Sequence, residues 1–492
     1  MGSSIALVIF VVGIAFLFFL DRDNSVCTSK ALWLPVIWLW INASRPISAW
    51  LGMNSLNGNW LDEIVAGILM VLGIIVIGRR RKDVIFLLKR SWPIILYLSF
   101  CLVSVLWSDI PGQSFQRWVK ALGDLIMVLI VATDVQPKAA LRRLFSRVGF
   151  VLLPSSVLLV KYFPNLGRGY DQWGFQTNTG VTTNKNMLGV STFVLALGAF
   201  WQVLRLLRDR EQPNRGRHLL AQSATLCFGI SLLFTSHSAT SGASFTLGVL
   251  LLLVTAMAWM SRRPVAVHVI VLSVLLTTGL AVLLGGTGAA AQALGRDPTF
   301  TGRTEIWSDV IPLATNPIVG AGFESFWSGQ RLEKMRSIWG EGVNEAHNGY
   351  LEAYLNLGYV GVGLIGLILM QSYWNSVGAF RRDPAVGSLL IAFTITAAIY
   401  SITEAGFRML DPIWFFLLLS VVAASRVTSL GNDPLQPGQS GQQFLPVRVQ
   451  ATHEKSAAPS FSQTGRVPGR VGASIRASSP GQTQHTKGSR QL

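Results

Sequence analysis

The sequence predicts an all-α, polytopic integral membrane protein with about 12 to 13 transmembrane helices. Three observations carry that prediction. Of the 492 residues, 50% are hydrophobic and 13% charged, against the roughly 25% charged residues of a soluble globular domain. Apolar runs of about 18 residues, enough to cross a hydrocarbon core of roughly 30 Å as helices, recur along most of the chain. The Lys and Arg residues sit in short clusters between those runs, as expected where cations are retained on the cytoplasmic side. The formal charge of +17 therefore reports topology and gives no sign of nucleic acid as a partner.

Apolar segments fall in order at 4–20, 31–43, 62–78, 92–107, 115–132, 145–161, 187–204, 219–235, 243–260, 265–285, 350–371, 386–401 and 411–425. The first lacks a basic n-region and runs into Asp21-Arg22-Asp23, with no small-residue cleavage site, so it is expected to stay as an anchor. One set of loops holds Arg79-Arg80-Arg81-Lys82, Lys89-Arg90, Lys138 with Arg142 and Arg143, Arg205 to Arg217, Arg262-Arg263 and Arg381-Arg382. These are expected to face the cytoplasm. The alternate loops, at 108–113, 163–185, 235–242 and 286–349, fall on the other side, which puts the C-terminus inside. Residues 1–426 then form the membrane domain. Residues 427–492, rich in Gly, Pro, Ser and Gln and carrying seven Lys and Arg against Asp433 and Glu454, read as a disordered basic tail.

A channel or secondary transporter keeps ionisable residues near the bilayer midplane. Here they are scarce: Arg117, Lys120, Lys161 and Glu404 lie near outer helix ends and His268 near an inner one. The charge is gathered in the loop 286–349, far longer than an ordinary connection. It holds Gly302-Arg303-Thr304-Glu305-Ile306-Trp307, then Asn316-Pro317-Ile318-Val319-Gly320-Ala321-Gly322-Phe323, then Glu345-Ala346-His347-Asn348-Gly349-Tyr350-Leu351. Ile306, Trp307, Val310, Ile311 and Leu313 keep helical spacing, as an interfacial amphipathic helix would. Cys27, Cys101 and Cys227 lie far apart and imply neither disulfide nor metal, and a lone Asp21-Arg22-Asp23 is too weak a signal for a metal site. Gly320-Ala321-Gly322 follows no strand and reads as a turn. Gly358, Gly361, Gly363 and Gly366 read as small-residue packing between helices.

The order Gly-Arg-x-x-x-Trp, Asn-Pro-x-x-Gly-x-Gly-x-x-x-Phe and His-Asn-x-Tyr-Leu, running into an apolar helix, resembles the O-antigen ligase and Wzy polymerase superfamily. Ser104-Val105-Leu106-Trp107-Ser108-Asp109 with Arg117, and Asn184-Lys185-Asn186-Met187-Leu188-Gly189, look most like its ExoQ-type exopolysaccharide polymerases. The resemblance implies a GT-C-like helical fold with a partly helical periplasmic loop in a bacterial inner membrane. It also implies a metal-independent, inverting glycosyl transfer that needs no cofactor. Donor and acceptor would be glycans on undecaprenyl pyrophosphate, with membrane lipids and chain-length regulator and export proteins as further partners.

Such a reaction assigns roles to residues. A leaving pyrophosphate needs fixed positive charge, which the planar fork of Arg303 suits; pairing of Arg303 with Glu305 or Asp309 is the plainer alternative. The acceptor hydroxyl needs a base. Among six histidines, only His237 and His347 fall on the outer side, and His237 sits in a turn of small polar residues. His347 opens a helix whose dipole is expected to keep the ring neutral. Asn348 then orients substrate or loop, and Tyr350 stacks or hydrogen-bonds beside it. Lys185 opens another helix, a natural phosphate position, and Arg168 lies between glycines that permit close approach. Arg117 and Glu404 either line the donor groove or pair for structure. Two other readings stand beside polymerisation: a ligase moving finished glycan to a lipid core or protein, and a transporter of glycan or solute.

Overall fold

The structure, a computed structural model, describes residues 2–23, 26–53, 59–170, 174–283, 303–340 and 342–429. The expected tail from 430 onward and the first part of the long loop, 286–302, lie outside those residues. Each of the thirteen apolar segments forms a helix: Ser3–Leu20, Trp33–Asn42, Trp60–Arg79, Trp92–Ser104, Pro111–Ala132, Pro137–Tyr162, Lys185–Arg208, Arg215–Ser236, Ala239–Thr255, Pro264–Leu283, Gly349–Arg382, Pro384–Thr403 and Pro412–Ser429. Their starts follow local chemistry. Asn59, Asn184, Asn348 and Asp383 accept hydrogen bonds from first-turn amides, and proline opens five of them, where its missing N–H costs nothing.

Fewer of these helices can span a bilayer alone than the segment count suggests. Eight are long and apolar enough, or nine if Arg81–Arg90 and Trp92–Trp107, bent by 86°, make one span. Trp33–Asn42 has ten residues, about 15 Å of helix or half a hydrocarbon core. The basic run after Arg80 also folds as a helix, Arg81–Arg90, because Val84 and Leu87 bury one face.

Ion pairs sort the loops onto two ends. At one end Arg80 pairs with Asp134, Lys138 with Asp383, Arg426 with Asp83 and His218 with Asp21. This is the basic end, as the alternation of charge predicts, and Asp21-Arg22-Asp23 belongs to it. At the other end lie Arg45, Arg117, Asn186 and the residues from 303 to 348. The bundle between is tied by a stack of Phe145 on Phe416 at 4.7 Å and of Phe393 on Phe416 at 5.2 Å between ring centroids. Gly198 makes room for it, since a Cβ there would stand 2.2 Å from Phe145 Cδ1. The helices Ser3–Leu20 and Trp60–Arg79 are only 17% buried along their apolar windows and turn those faces outward, as lipid-facing helices do.

The region 303–348 has a small core of its own. Ile306 and Val310 pack with Phe326, Met335, Ala346 and Leu355, and the Trp307 indole donates to the Ala346 carbonyl at 2.7 Å. The apolar face of Arg303–Val310 therefore covers this core and does not lie along a membrane interface, a correction to the expectation.

The glycine-rich turn docks where the long helix Gly349–Arg382 breaks. Gly358 has φ 64°, ψ −164°. The amides of Tyr359 and Val360, freed by the break, donate to the Pro317 and Ile318 carbonyls at 2.8 and 3.1 Å, and those of Ala321 and Gly322 to Leu355 and Asn356 at 3.1 and 2.8 Å. The turn is held from the other side by Ser104, whose hydroxyl accepts from Phe323 N–H at 3.0 Å, by Arg117 on the Glu324 carbonyl, and by Arg331 on Asp109. Gly363 and Gly366, expected at helix contacts, are exposed and have nothing within 4 Å of a Cβ position; their side of the helix faces outward.

A Cβ at Gly358 would lie 2.2 Å from the Ile318 carbonyl and force a positive φ, a strain of about 1–3 kcal/mol before the clash is counted. Gly358→Ala is expected to lower the thermal midpoint of the purified protein in detergent, whereas Gly363→Ala should leave it within about 0.5 kcal/mol of wild type.

Candidate functional site

Seven side chains form one alternating chain of charge at the end opposite the basic loops. Arg303 Nη2 lies 2.5 Å from Glu404 Oε1, and His347 Nδ1 lies 3.4 Å from Glu404 Oε2 and 2.8 Å from Glu345 Oε1. Arg408 donates to Glu345 Oε2 at 3.1 Å and to Glu324 Oε2 at 3.2 Å, and Arg117 reaches the Glu324 backbone. Asn186 adds a donor to Glu404 Oε2 at 3.3 Å. Glu404 is the hub: its side chain is only 5% exposed, and a carboxylate so buried persists only when paired.

Local backbone chemistry sets each group in place. Glu404 is the C-cap of Pro384–Thr403, and its carbonyl accepts from Gly349 N–H at 3.0 Å, which joins the starts of two motifs. His347 takes a left-handed φ of 49° just before the Asn348 cap. The loop 404–411 is fixed from below: Asp124, buried within Pro111–Ala132, accepts from the Trp38 indole at 2.8 Å and from Leu410 N–H at 2.9 Å, where Leu410 has φ 65°. Glu352 accepts from Ala346 N–H and Trp327, pinning the segment that carries Glu345 and His347.

A cavity of about 470 Å³ opens beside the chain. Glu345, Glu404, Arg408, Asn186, Asp411 and Lys120 form its polar wall, and Trp38, Ile41, Val65, Leu69 and Val190 its apolar one. His347 is not among its lining residues; the two carboxylates stand in front of the ring. Such a site can hold an amphiphile, with charge at one wall and hydrocarbon at the other.

Burial works against a charged His347, yet Glu345 and Glu404 more than offset it and raise its pKa to about 10. Burial likewise works against charge on Glu345, but His347 and Arg408 bring it down to about 2. Glu324, then Glu345, hold Arg408 above the usual range despite its burial, and burial pushes Asp411 up to about 8. The resting cluster is thus a set of ion pairs with an imidazolium in it. The expectation of a neutral ring was wrong, because two carboxylates within 3.4 Å outweigh a helix dipole worth about 0.3–1 kcal/mol. His347 Nδ1 makes no aligned hydrogen bond despite that closeness.

Of the residues singled out in the sequence, Arg303, His347 and Glu404 meet directly. Arg117 joins at the far end of the chain through Glu324. Asn348 spends its side-chain oxygen on the amides of Tyr350 and Leu351, and Tyr350 donates to the Ala398 carbonyl at 3.0 Å. Lys185 begins the helix whose next residue, Asn186, donates to Glu404 Oε2. Arg168 stays away on the hairpin Arg168–Tyr170/Gln176–Asn178, donating to the Val160 carbonyl at 3.2 Å. Gly167 serves the packing of that hairpin onto Leu159. Sequence reasoning gave no role to Glu324 or Arg408, and quoted Glu345 and Asn186 only as members of motifs. Glu345, two residues before His347, and Arg408, four after Glu404, were findable as charged neighbours at an outer boundary; Glu324 and Asn186 carried no separate signal.

Glu345, His347 and Glu404 offer ligand atoms within 4.8 Å of one another. Each carboxylate is already paired with a guanidinium, however, so a metal ion would have to displace Arg303 and Arg408.

The fold defines a multi-pass, all-α membrane protein with a charged cluster beside a half-apolar cavity. Residues 224–366 match the Wzy_C family model, described as O-antigen ligase, a stretch that includes Arg303, Glu324, Glu345 and His347. The chain is also similar to the exopolysaccharide production protein ExoQ of Rhizobium meliloti strain 1021, with 23% identity over 376 residues, 72% of this chain and 83% of that protein. Together these matches support an O-antigen ligase/ExoQ-like relationship and a membrane enzyme of polymerase or ligase type.

The coupled pair sets a pH window. The raised His347 contributes stability that is fully present below its ordinary 6.5 and lost as pH rises through about 10. The lowered Glu345 contributes stability that is present above its ordinary 4.5 and lost as pH falls through about 2. Thermal midpoints of wild type minus His347→Gln should be largest near pH 4.5–6.5 and shrink toward pH 10; a difference that is flat across the range contradicts the pairing.

Proposed function

We propose that this protein polymerises undecaprenyl-pyrophosphate-linked repeat units at the periplasmic face of the inner membrane by an inverting, metal-independent glycosyl transfer. The observation that carries the reading is the pairing of Arg303 and His347 through Glu404 beside a cavity with one charged and one apolar wall. A polyprenyl chain suits the apolar wall. The diphosphate suits the guanidinium groups, because Arg408 on the cavity wall and Arg303, paired to Glu404 of that wall, can exchange carboxylate for phosphate oxygen.

In the step itself the acceptor oxygen bonds to the anomeric carbon as the carbon–oxygen bond to diphosphate breaks, and the acceptor proton must leave. Glu404 and His347 act here as one unit. Glu404 faces the cavity and receives the proton, and His347 behind it, charged at rest, balances and orients that carboxylate. Diphosphate departs with its charge offset by Arg303. Polymerisation is preferred over ligation because the similarity to ExoQ runs along 72% of the chain, whereas the ligase model covers residues 224–366 alone.

His347→Ala and Arg303→Ala proteins should insert normally, lose at least about 100-fold in transfer rate and let lipid-linked repeat units accumulate; polymer of normal length from either variant rules the scheme out. Purified protein given lipid-linked repeat units should stay active in excess chelator, and loss of activity that divalent ions restore would assign the Glu345–His347–Glu404 group to a metal. With rising pH, KM for the lipid donor should increase as His347 loses its proton near 10. If kcat climbs through that range instead, the neutral imidazole is the base.

A further inference from the structure

The basic end holds a second group of buried polar residues that glycan transfer does not use. Arg142, Arg143, Arg147 and Arg205 converge there, with Asp21, Asp23 and Asp209 as their charged neighbours. Three of the guanidinium groups are accounted for in part: Arg143 donates to Thr28 and to the carbonyls of Asp23 and Val26, Arg205 donates to Gln212, and Arg147 lies over the Trp33 ring at 4.4 Å. Even so, Arg147 Nη1 and Arg205 Nε are buried without a hydrogen-bond partner.

Arg142 is different. Its half-buried guanidinium makes no hydrogen bond or close ion pair among the described residues, and Asp21, Asp23 and Asp209 act on it only at longer range. It stands between two spaces, a small polar one shared with Asp21, Arg143, Gln202 and Arg205, and an apolar crevice of about 310 Å³. The crevice is walled by Val131, Leu141, Val386, Leu419 and Ala423, with Lys138 and Arg426 at its rim. A half-buried guanidinium with donors still open can take a phosphate bidentately.

We propose that this crevice is a binding site for an anionic phospholipid of the leaflet at the basic end, with its phosphate on Arg142 and an acyl chain along Leu141, Leu419 and Ala423. Charge complementarity selects the occupant. Lys138 and Arg426 are already paired with Asp383 and Asp83, which leaves Arg142 to the phosphate, and an apolar crevice beside a basic cluster suits a lipid better than a free anion. The site is distinct from the glycan cavity, at the opposite end of the bundle.

Native mass spectrometry of the full-length protein, delipidated in detergent and titrated with phosphatidylglycerol, phosphatidylcholine or inorganic phosphate, tests this. Wild type should retain phosphatidylglycerol at least tenfold more tightly than phosphatidylcholine. Arg142→Gln should lose that preference, and Ala423→Phe, which fills the crevice without touching charge, should weaken phosphatidylglycerol binding as strongly. Unchanged binding in Arg142→Gln, equal retention of the two lipids, or full competition by inorganic phosphate overturns the proposal. Should Arg142→Gln fail to fold, Ala423→Phe decides alone: wild-type lipid retention in that variant also overturns it.

Discussion

The burial of Glu404 is the constraint around which the site end of this protein is organised. An ionised carboxylate cannot be withdrawn from water unless cations and donors replace its hydration, and one side chain could not supply enough of them. Arg303, His347 and Asn186 come to it from three separate stretches of the chain. Each of them must then be held: Arg303 by a helix packed on its own small core, His347 by the Asn348 cap and Glu352, Asn186 by the first turn of its helix. The alternation continues through Glu345, Arg408 and Glu324, so no member carries an uncompensated charge.

That compensated state explains how a strongly ionic cluster can sit at a membrane boundary and still respond to a ligand. Among the described residues the cations lining the cavity, Lys120 and Arg408, already face carboxylates, so an anionic ligand there would exchange one anion for another without desolvating a bare charge. The apolar wall of the same cavity lies directly beside it. An amphiphile can therefore be matched at both of its ends without any helix moving.

The break at Gly358 performs the corresponding task for the backbone. A helix that unwinds for one residue exposes amides and carbonyls that must be paired, and the glycine-rich turn pairs them. The glycine-rich motif in this region is accordingly structural. It seats residues 317–323 against the long helix, while Ser104, Asp109 and Arg117 clamp the same segment from the side. The flanking residues Arg303 and His347 belong instead to the charged cluster around Glu404.

Much of this was determined by the sequence alone. Hydropathy fixed all thirteen helices, because lipid leaves the backbone no alternative to helix wherever an apolar run occurs, and charge clusters fixed which loops share an end. The meeting of Arg303 with His347 was legible through motif order, as was the presence of Glu404 at an outer boundary. What only the tertiary structure decided was pairing. That Glu404 sits between Arg303 and His347 and accepts from Asn186 depends on segments far apart in the chain, whereas the Asn348 cap and the Arg168 contact to Val160 are local. Protonation follows the same rule: a histidine at a helix start reads as neutral when only its own helix is considered, and becomes a cation once two carboxylates from elsewhere in the fold are brought against it.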